Sequence, residues 1–257
     1  MATVAPLRIG IAGIYGRMGG DVAAAALADA EVVLVGGTLR SPGAARPDRL
    51  PPGTRVTAAL PDLLGAIDVL IDFTTPAATL THARFAAGAG CPLVAGATGL
   101  DGDGLAELRR HAERIPIWYA RNMSQGVAAV LALLPRLAEL LRAYDVEIIE
   151  THHRHKQDAP SGTALALAEA TAGGAPPLLV HGREGTAPRG PGEIGIHALR
   201  AGGNAGEHTV LFAAEGEEVR IVHRAYNRRA FAAGALRAAK LIVRRQPGWY
   251  GPDALVS

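Results

Sequence analysis

The sequence predicts an α/β fold: a doubly wound parallel sheet joined to a second α+β domain built on a mostly antiparallel sheet. Three observations lead there. A short apolar run at 7–12 is followed by closely spaced glycines and an alanine-rich helical stretch. Strand-like and helix-like segments then alternate as far as Tyr119, the pattern of parallel strands joined by right-handed crossovers. Beyond residue 124 the pattern changes, with three strand-like runs between 195 and 223 that have no helix between them, as antiparallel neighbours would. The boundaries that follow are 1–123 for the first domain, completed by about 231–257, and 124–230 for the second.

In chain order, 7–28 reads strand, glycine turn, helix, and the turn spells GxxGxxG at 13–19. That is the start of a Rossmann-like dinucleotide-binding sheet, where glycines let the backbone approach a pyrophosphate at a helix N-terminus. A glycine turn with no ligand is the bland alternative. The second strand, 31–37, ends at Leu39 and Arg40 where an acidic residue would bind the ribose of NAD. An arginine in place of that carboxylate points to NADPH being accepted, against the alternative of an ordinary surface charge. Segment 41–55 is rich in proline and glycine and reads as an exposed loop.

A third strand at 67–73 ends in Thr74-Thr75-Pro76 before a helix to about Ala87. A fourth at 92–95 ends in Gly96-Ala97-Thr98-Gly99 before a helix at about 104–113, and a fifth at 115–119 ends at 120–124. In a parallel sheet these segments share the carboxyl edge, where ligands bind. Singly, a threonine there reads equally well as a helix cap. A long helix follows at 125–144, striped by Val127, Val130, Leu131, Leu134, Leu137 and Leu141 and kinked at Pro135. Strands at 178–180, 195–199, 208–212 and 218–223 precede a helix at 231–245 that returns to the first domain.

The stretch richest in chemistry is 147–163, EIIETHHRHKQDAPSGT. It sets His152, His153, His155 and Lys156 between a strand end and a helix start at Pro160. Histidine exchanges protons near neutral pH, and a crowded lysine can be tuned to do so. Beyond the proline, the first-turn amides of Ser161, Gly162 and Thr163 would point outward as an anion site. Cationic side chains facing free amides suit a small substrate with more than one carboxylate. A zinc site or a solvated basic loop are the competing readings; the spacing matches no zinc motif, so no metal is expected. Lys156 and Lys240 are the only lysines among 26 cationic residues, and lysine, unlike arginine, can serve as a proton donor.

Composition narrows the class. A net charge of +2 without a basic block gives no reason to expect nucleic acid. A single cysteine, Cys91, excludes an internal disulfide and fits a reducing cytoplasm. The first eight residues are too short and polar for a signal peptide and no run of 18 apolar residues occurs, so a soluble cytoplasmic protein without membrane contact is expected.

Taken together, GxxGRMG at 13–19, DFTTP at 72–76, GATG at 96–99, EIIETHHRHKQDAPSGTA at 147–164 and AGEHT at 205–209 make the chain resemble the 4-hydroxy-tetrahydrodipicolinate reductase (dihydrodipicolinate reductase) family over essentially its whole length. The resemblance implies reduction of a cyclic dicarboxylate imine by NADPH or NADH in bacterial diaminopimelate and lysine synthesis. It implies His152 as proton donor and Lys156 as a second donor. It places His153, Ser161, Gly162 and Thr163 at the substrate carboxylates, with Arg228 as a further substrate-side residue. Cofactor contacts fall on Gly13, Ile14, Tyr15, Gly16, Arg17, Met18, Arg40, Thr74, Gly96, Ala97, Thr98, Ala120, Arg121, Asn122 and Met123. A homotetramer assembled through the second domain's sheet is implied as well. Two positions depart from the family: Leu39-Arg40 stands where members often carry Glu-Arg, and Met123 replaces an aromatic residue. Another nicotinamide reductase, such as an amino-acid dehydrogenase, and a non-catalytic dinucleotide sensor are the competing functions.

Overall fold

The computed structural model describes residues 5–39, 50–51 and 54–255, so Arg40 and most of the 41–55 loop lie outside the described residues. The elements in order are β1 (Leu7–Ala12), α1 (Arg17–Leu27), β2 (Val32–Thr38), β3 (Arg55–Thr57), α2 (Pro61–Leu64), β4 (Val69–Asp72), α3 (Pro76–Ala89), β5 (Leu93–Ala95), α4 (Gly102–Ala112) and β6 (Pro116–Tyr119). There follow α5 (Gln125–Leu140), β7 (Asp145–His152), α6 (Gly162–Thr171), β8 (Leu178–His181), β9 (Glu193–Arg200), β10 (Glu207–Ala213), β11 (Glu218–Arg224), α7 (Arg229–Ile242) and β12 (Gly248–Tyr250), then a 3-10 turn. The chain forms two compact units, one of residues up to 124 with 229–255, the other of residues 125–228.

In the first unit seven strands run in the order β12-β6-β5-β4-β1-β2-β3, every pairing parallel. The strands are apolar on both faces because helices cover both. Leu70, Leu93 and Ile117 pack beneath α2, α3 and α4 with Leu63, Ala83, Ala86 and Leu108, while α1 and α7 pack together on the other face. Each fully buried leucine or isoleucine contributes roughly 1.5 to 3 kcal/mol. Thr75 caps α3 by accepting from the Ala78 amide, with Pro76 at the first helical position and Gly90 closing the helix in the left-handed region. The structure adds β3, α2 and β12, which the sequence reading did not anticipate. Helix α1 starts at Arg17 rather than 21, because Gly19 and Gly20 are helical despite their low propensity.

The second unit departs from expectation in its sheet, which runs β11-β10-β7-β9-β8 and is mixed rather than mostly antiparallel. Pairings β10/β11 and β10/β7 are antiparallel, whereas β7/β9 and β8/β9 are parallel. The reason is connectivity. Helix α6 carries the chain over from β7 to β8, and β7 lies between β9 and β10, so the absence of a helix between those two strands did not make them antiparallel neighbours. One face of this sheet packs on α5 and α6 through Leu134, Ile148, Ala164, Leu167, Ile196, Val210 and Phe212. Helix α5 ends at Leu140 with Pro135 inside it.

Candidate functional site

In the first unit the parallel register draws Ala12, Asp72, Ala95 and Tyr119 into one row at the carboxyl edge. The segments expected to hold a cofactor therefore emerge side by side. Strand order reverses between β1 and β4, the place where such sheets bind ligands. There Gly13, at φ +70°, opens the turn and its amide faces Thr38 Oγ1 at 3.3 Å. The Gly16 amide donates to the Gly13 carbonyl at 2.8 Å, so the turn is closed by its own backbone. A side chain on Gly13 would meet Thr74, and one on Gly19 would overlap the Gly13 carbonyl. The first turn of α1 carries no acidic residue to repel an anion.

Around this turn Tyr15 and Met18 are half-buried, Arg17 is exposed, and Ile14 is wholly buried, leaving only its backbone available. Thr74 is held by Asp72, whose Oδ1 accepts from the Thr74 amide at 2.7 Å and from its hydroxyl at 2.6 Å. The buried Asp72 also meets His82 Nδ1 at 2.8 Å. Gly96 lies against the Phe73 ring, and the Ala97 carbonyl accepts from the Tyr119 hydroxyl. Burial raises the Tyr119 hydroxyl pKa, with Arg121 opposing. Thr98 is exposed, Ala120 is buried with its amide on the Ala95 carbonyl, Asn122 accepts from the Ser124 amide, and Met123 is buried. Arg40 lies outside the described residues.

In the second unit the cluster forms around Glu150, which is 0% exposed. Alternation along β7 puts Glu150 and His152 on one face. Glu150 Oε2 meets His152 Nδ1 at 2.5 Å, and both carboxylate oxygens accept from Arg200 at 2.8 Å. Its Oε1 also accepts from the Ser161 amide at 3.0 Å. Burial pushes the carboxyl pKa up, but the bonds from His152, Arg200 and Ser161 outweigh it and bring the value down to about 2. Opposite Glu150 on β10 stands His208, whose Nε2 lies 3.1 Å from Ser161 Oγ and whose ring sits edge-on to His152 at 5.1 Å. Burial, then the neighbouring His152, push His208 down to about 3, so it is neutral at pH 7.

The basic loop is pinned to the turn after β9: the His153 amide donates to Asn204 and the Arg154 amide to Gly202. The Lys156 ammonium lies 2.8 and 2.9 Å from the Asp158 carboxylate oxygens. Asp158 is raised by burial yet lowered on balance, chiefly by Lys156. Arg200 joins the two halves of the cluster by donating to the Asp158 carbonyl at 2.6 Å while holding Glu150.

Ser161 corrects one expectation. It is the N-cap of α6, with its hydroxyl accepting from the Ala164 amide and its own amide turned inward to Glu150. The Ser161 amide is therefore not one of the outward donors expected at this helix start. Arg228 is half-buried just before α7, and no hydrogen bond or ion pair among the described residues joins it to the His152 cluster. Glu150, Arg200 and His208 had not been singled out. Glu150 was legible as the i−2 neighbour of His152 on a strand, and His208 stood within the AGEHT motif; Arg200 had no local signal. Among the described residues no group of three or more His, Cys, Asp or Glu is arranged to hold a metal.

Comparison with known proteins identifies the family of the chain. Residues 7–123 match the family model for dihydrodipicolinate reductase, N-terminus, and residues 126–256 that for the C-terminus. The 4-hydroxy-tetrahydrodipicolinate reductase of Rubrobacter xylanophilus is 47% identical over 98% of either chain. That of Thermomicrobium roseum is 46% identical over 98% of this chain and 100% of its own. A dipicolinate-bound dihydrodipicolinate reductase from Paenisporosarcina sp. TG-14 superposes with a TM-score of 0.74 at 27% identity, over 97% of this chain and 99% of that one. An amine dehydrogenase from Mycobacterium smegmatis, 13% identical with a TM-score of 0.67 over 96% of this chain and 95% of its own, shares the fold. With both units matched and near-half identity across the full length, the chain belongs to the dihydrodipicolinate reductase family.

Proposed function

We propose that the chain catalyses the NADPH- or NADH-dependent reduction of 4-hydroxy-tetrahydrodipicolinate to tetrahydrodipicolinate, a step of diaminopimelate and lysine synthesis. The observation that carries this reading is the buried Glu150–His152 pair set against the start of α6, which puts an oriented imidazole beside main-chain donors for a carboxylate. The name of the dipicolinate-bound relative agrees, since dipicolinate is a planar ring with two carboxylates.

The glycine turn fits a nicotinamide dinucleotide: it closes so tightly that a Cβ at 13 would meet Thr74 and one at 19 the Gly13 carbonyl, and the first turn of α1 carries no carboxylate. When bound, that cofactor supplies the hydride. Gly13, Ile14, Tyr15, Gly16, Arg17 and Met18 hold its pyrophosphate end, and Thr74, Gly96, Ala97, Thr98 and the 120–123 segment hold its other end. In the second unit, His153 and the amides of Gly162 and Thr163 hold the ring carboxylates, with Arg228 as a further cation. Ser161 sets the start of the helix that presents these amides. His152, its Nδ1 engaged by Glu150, presents Nε2 as the donor to the ring atom that gains electron density, and Lys156 is the second donor. A homotetramer in the cytoplasm completes the reading. Its interface is the sheet face away from α5 and α6, where Leu178, Leu199 and Val222 are exposed.

Absorbance loss with NADH and NADPH in separate assays measures the activity and the cofactor preference. His152→Ala and Lys156→Ala each lower kcat by about a hundredfold or more. Near-normal rates in both variants overturn the assignment.

A further inference from the structure

We infer that Glu150 is the positioning residue for His152: its carboxylate decides which imidazole nitrogen carries the proton and thereby turns Nε2 into the donating atom. This rests on the reading of His152 as proton donor.

The carboxylate has no route to a substrate of its own. It is wholly buried and its oxygens are engaged by His152 Nδ1, by Arg200 twice and by the Ser161 amide. An ionised carboxylate only accepts, so the imidazole atom facing it must be an N–H. Nδ1 is then occupied in every protonation state, and all proton exchange with a ligand passes through Nε2. Arg200 keeps the carboxylate ionised in a buried place by a bidentate, charge-assisted pair. The second oxygen does a different job. By accepting from the Ser161 amide it ties the first residue of the α6 cap to the strand that bears His152, so one side chain fixes the spacing between proton donor and anion site. The other groups facing His152 do not replace Glu150. His208 on β10 presents a ring edge at 5.1 Å and is neutral at pH 7, Arg200 on β9 is spent on Glu150, and Lys156 in the following loop is paired with Asp158. Gly206, in the turn before β10, approaches the Nε2 side of the ring, where a Cβ would stand 3.0 Å from Nε2.

Glu150→Gln is the direct test. A carboxamide can turn its NH2 toward Nδ1 and move the ring proton to Nε2, the wrong tautomer for a neutral ring that must be reprotonated there. In the full-length enzyme, kcat falls by about a hundredfold to ten-thousandfold, as when the orienting carboxylate of a serine-protease triad is replaced by its amide. KM for the dicarboxylate stays within about threefold, so the loss falls on kcat. Glu150→Asp, which keeps the charge, recovers about tenfold or more of the loss. In a His152→Gln background the same Glu150→Gln change costs less than about threefold. If Glu150→Gln does not fold because Arg200 is left unpaired, the paired variant Glu150→Gln/Arg200→Gln is measured against Arg200→Gln. A Glu150→Gln enzyme with unaltered kcat, beside a slow His152→Gln enzyme, overturns the inference alone. So does an undiminished loss in the His152→Gln background. A His152→Gln enzyme with normal kcat overturns the donor reading itself and the inference with it.

Discussion

Replacing His208 with glutamine removes the largest acid-sensitive element of the second unit. The ring is 3% exposed, its Nδ1 has no hydrogen-bond partner among the described residues, and burial with the nearby His152 brings its pKa from 6.5 down to about 3. The unfolded chain therefore binds a proton near pH 6.5 that the folded chain refuses until about pH 3. Between those values the unfolded state holds more protons, so stability falls as the pH falls. From pH 7.5 to 4.5 one such histidine accounts for about 2.5 kcal/mol, with a slope approaching about 1.4 kcal/mol per pH unit. Glu150 has the opposite starting point, for its lowered carboxyl stabilises the fold above the unfolded value of 4.5 and loses that contribution only as pH falls toward about 2. It is therefore silent over most of this window. His223, also lowered by burial, adds to the same slope. Native-state hydrogen exchange on peptides covering β7 and β10, corrected for the intrinsic pH dependence of exchange, reads this locally, with β1 and β4 as reference. The wild-type opening energy falls by about 2 to 3 kcal/mol from pH 7.5 to 4.5, and His208→Gln removes most of that fall. A flat wild-type profile, or an equal slope in the variant, refutes the reasoning.

Two further substitutions test the first unit. Gly19→Ala forces a methyl into the Gly13 carbonyl, so the turn opens; KM for NADPH rises about tenfold or more, and stability drops by about 1 to 3 kcal/mol. Unchanged KM would show that the turn does not hold the cofactor. Gly234→Ala places a methyl on the Met123 carbonyl where α7 meets the strand-end segment, and lowers the melting temperature by several degrees. Tryptophan fluorescence reads this unit selectively, because Trp118 and Trp249 both belong to it. An unshifted melt would contradict the close packing.

The first sheet was legible because its signals are local. Each strand is a short apolar run, each is followed by a glycine or threonine segment, and parallel alternation brings those segments to one edge without any long-range information. β3 and β12 are three residues each and carry no period, so only their partners define them. The chemistry of the second unit was half legible. The histidines and lysine announce themselves, and Glu150 shares the strand face of His152. Arg200 lies fifty residues away, and only the parallel register that pairs His152 with Arg200 brings it to Glu150. The inward turn of the Ser161 amide was equally hidden. A helix start in sequence predicts free donors, but a buried carboxylate across the strand claims the first of them.

The outer unit is interrupted by the inner one, and that has a consequence for synthesis. During translation, β7 through β11 have all been made while the first sheet still lacks α7, which covers β4 and β5, and β12 at its edge. The inner fold can mature first, whereas the earlier-made strands must wait with apolar surface uncovered for their last helix. A pause near residue 228 would therefore leave a ribosome-bound chain with one finished half and one sticky half, a natural client for a holding chaperone.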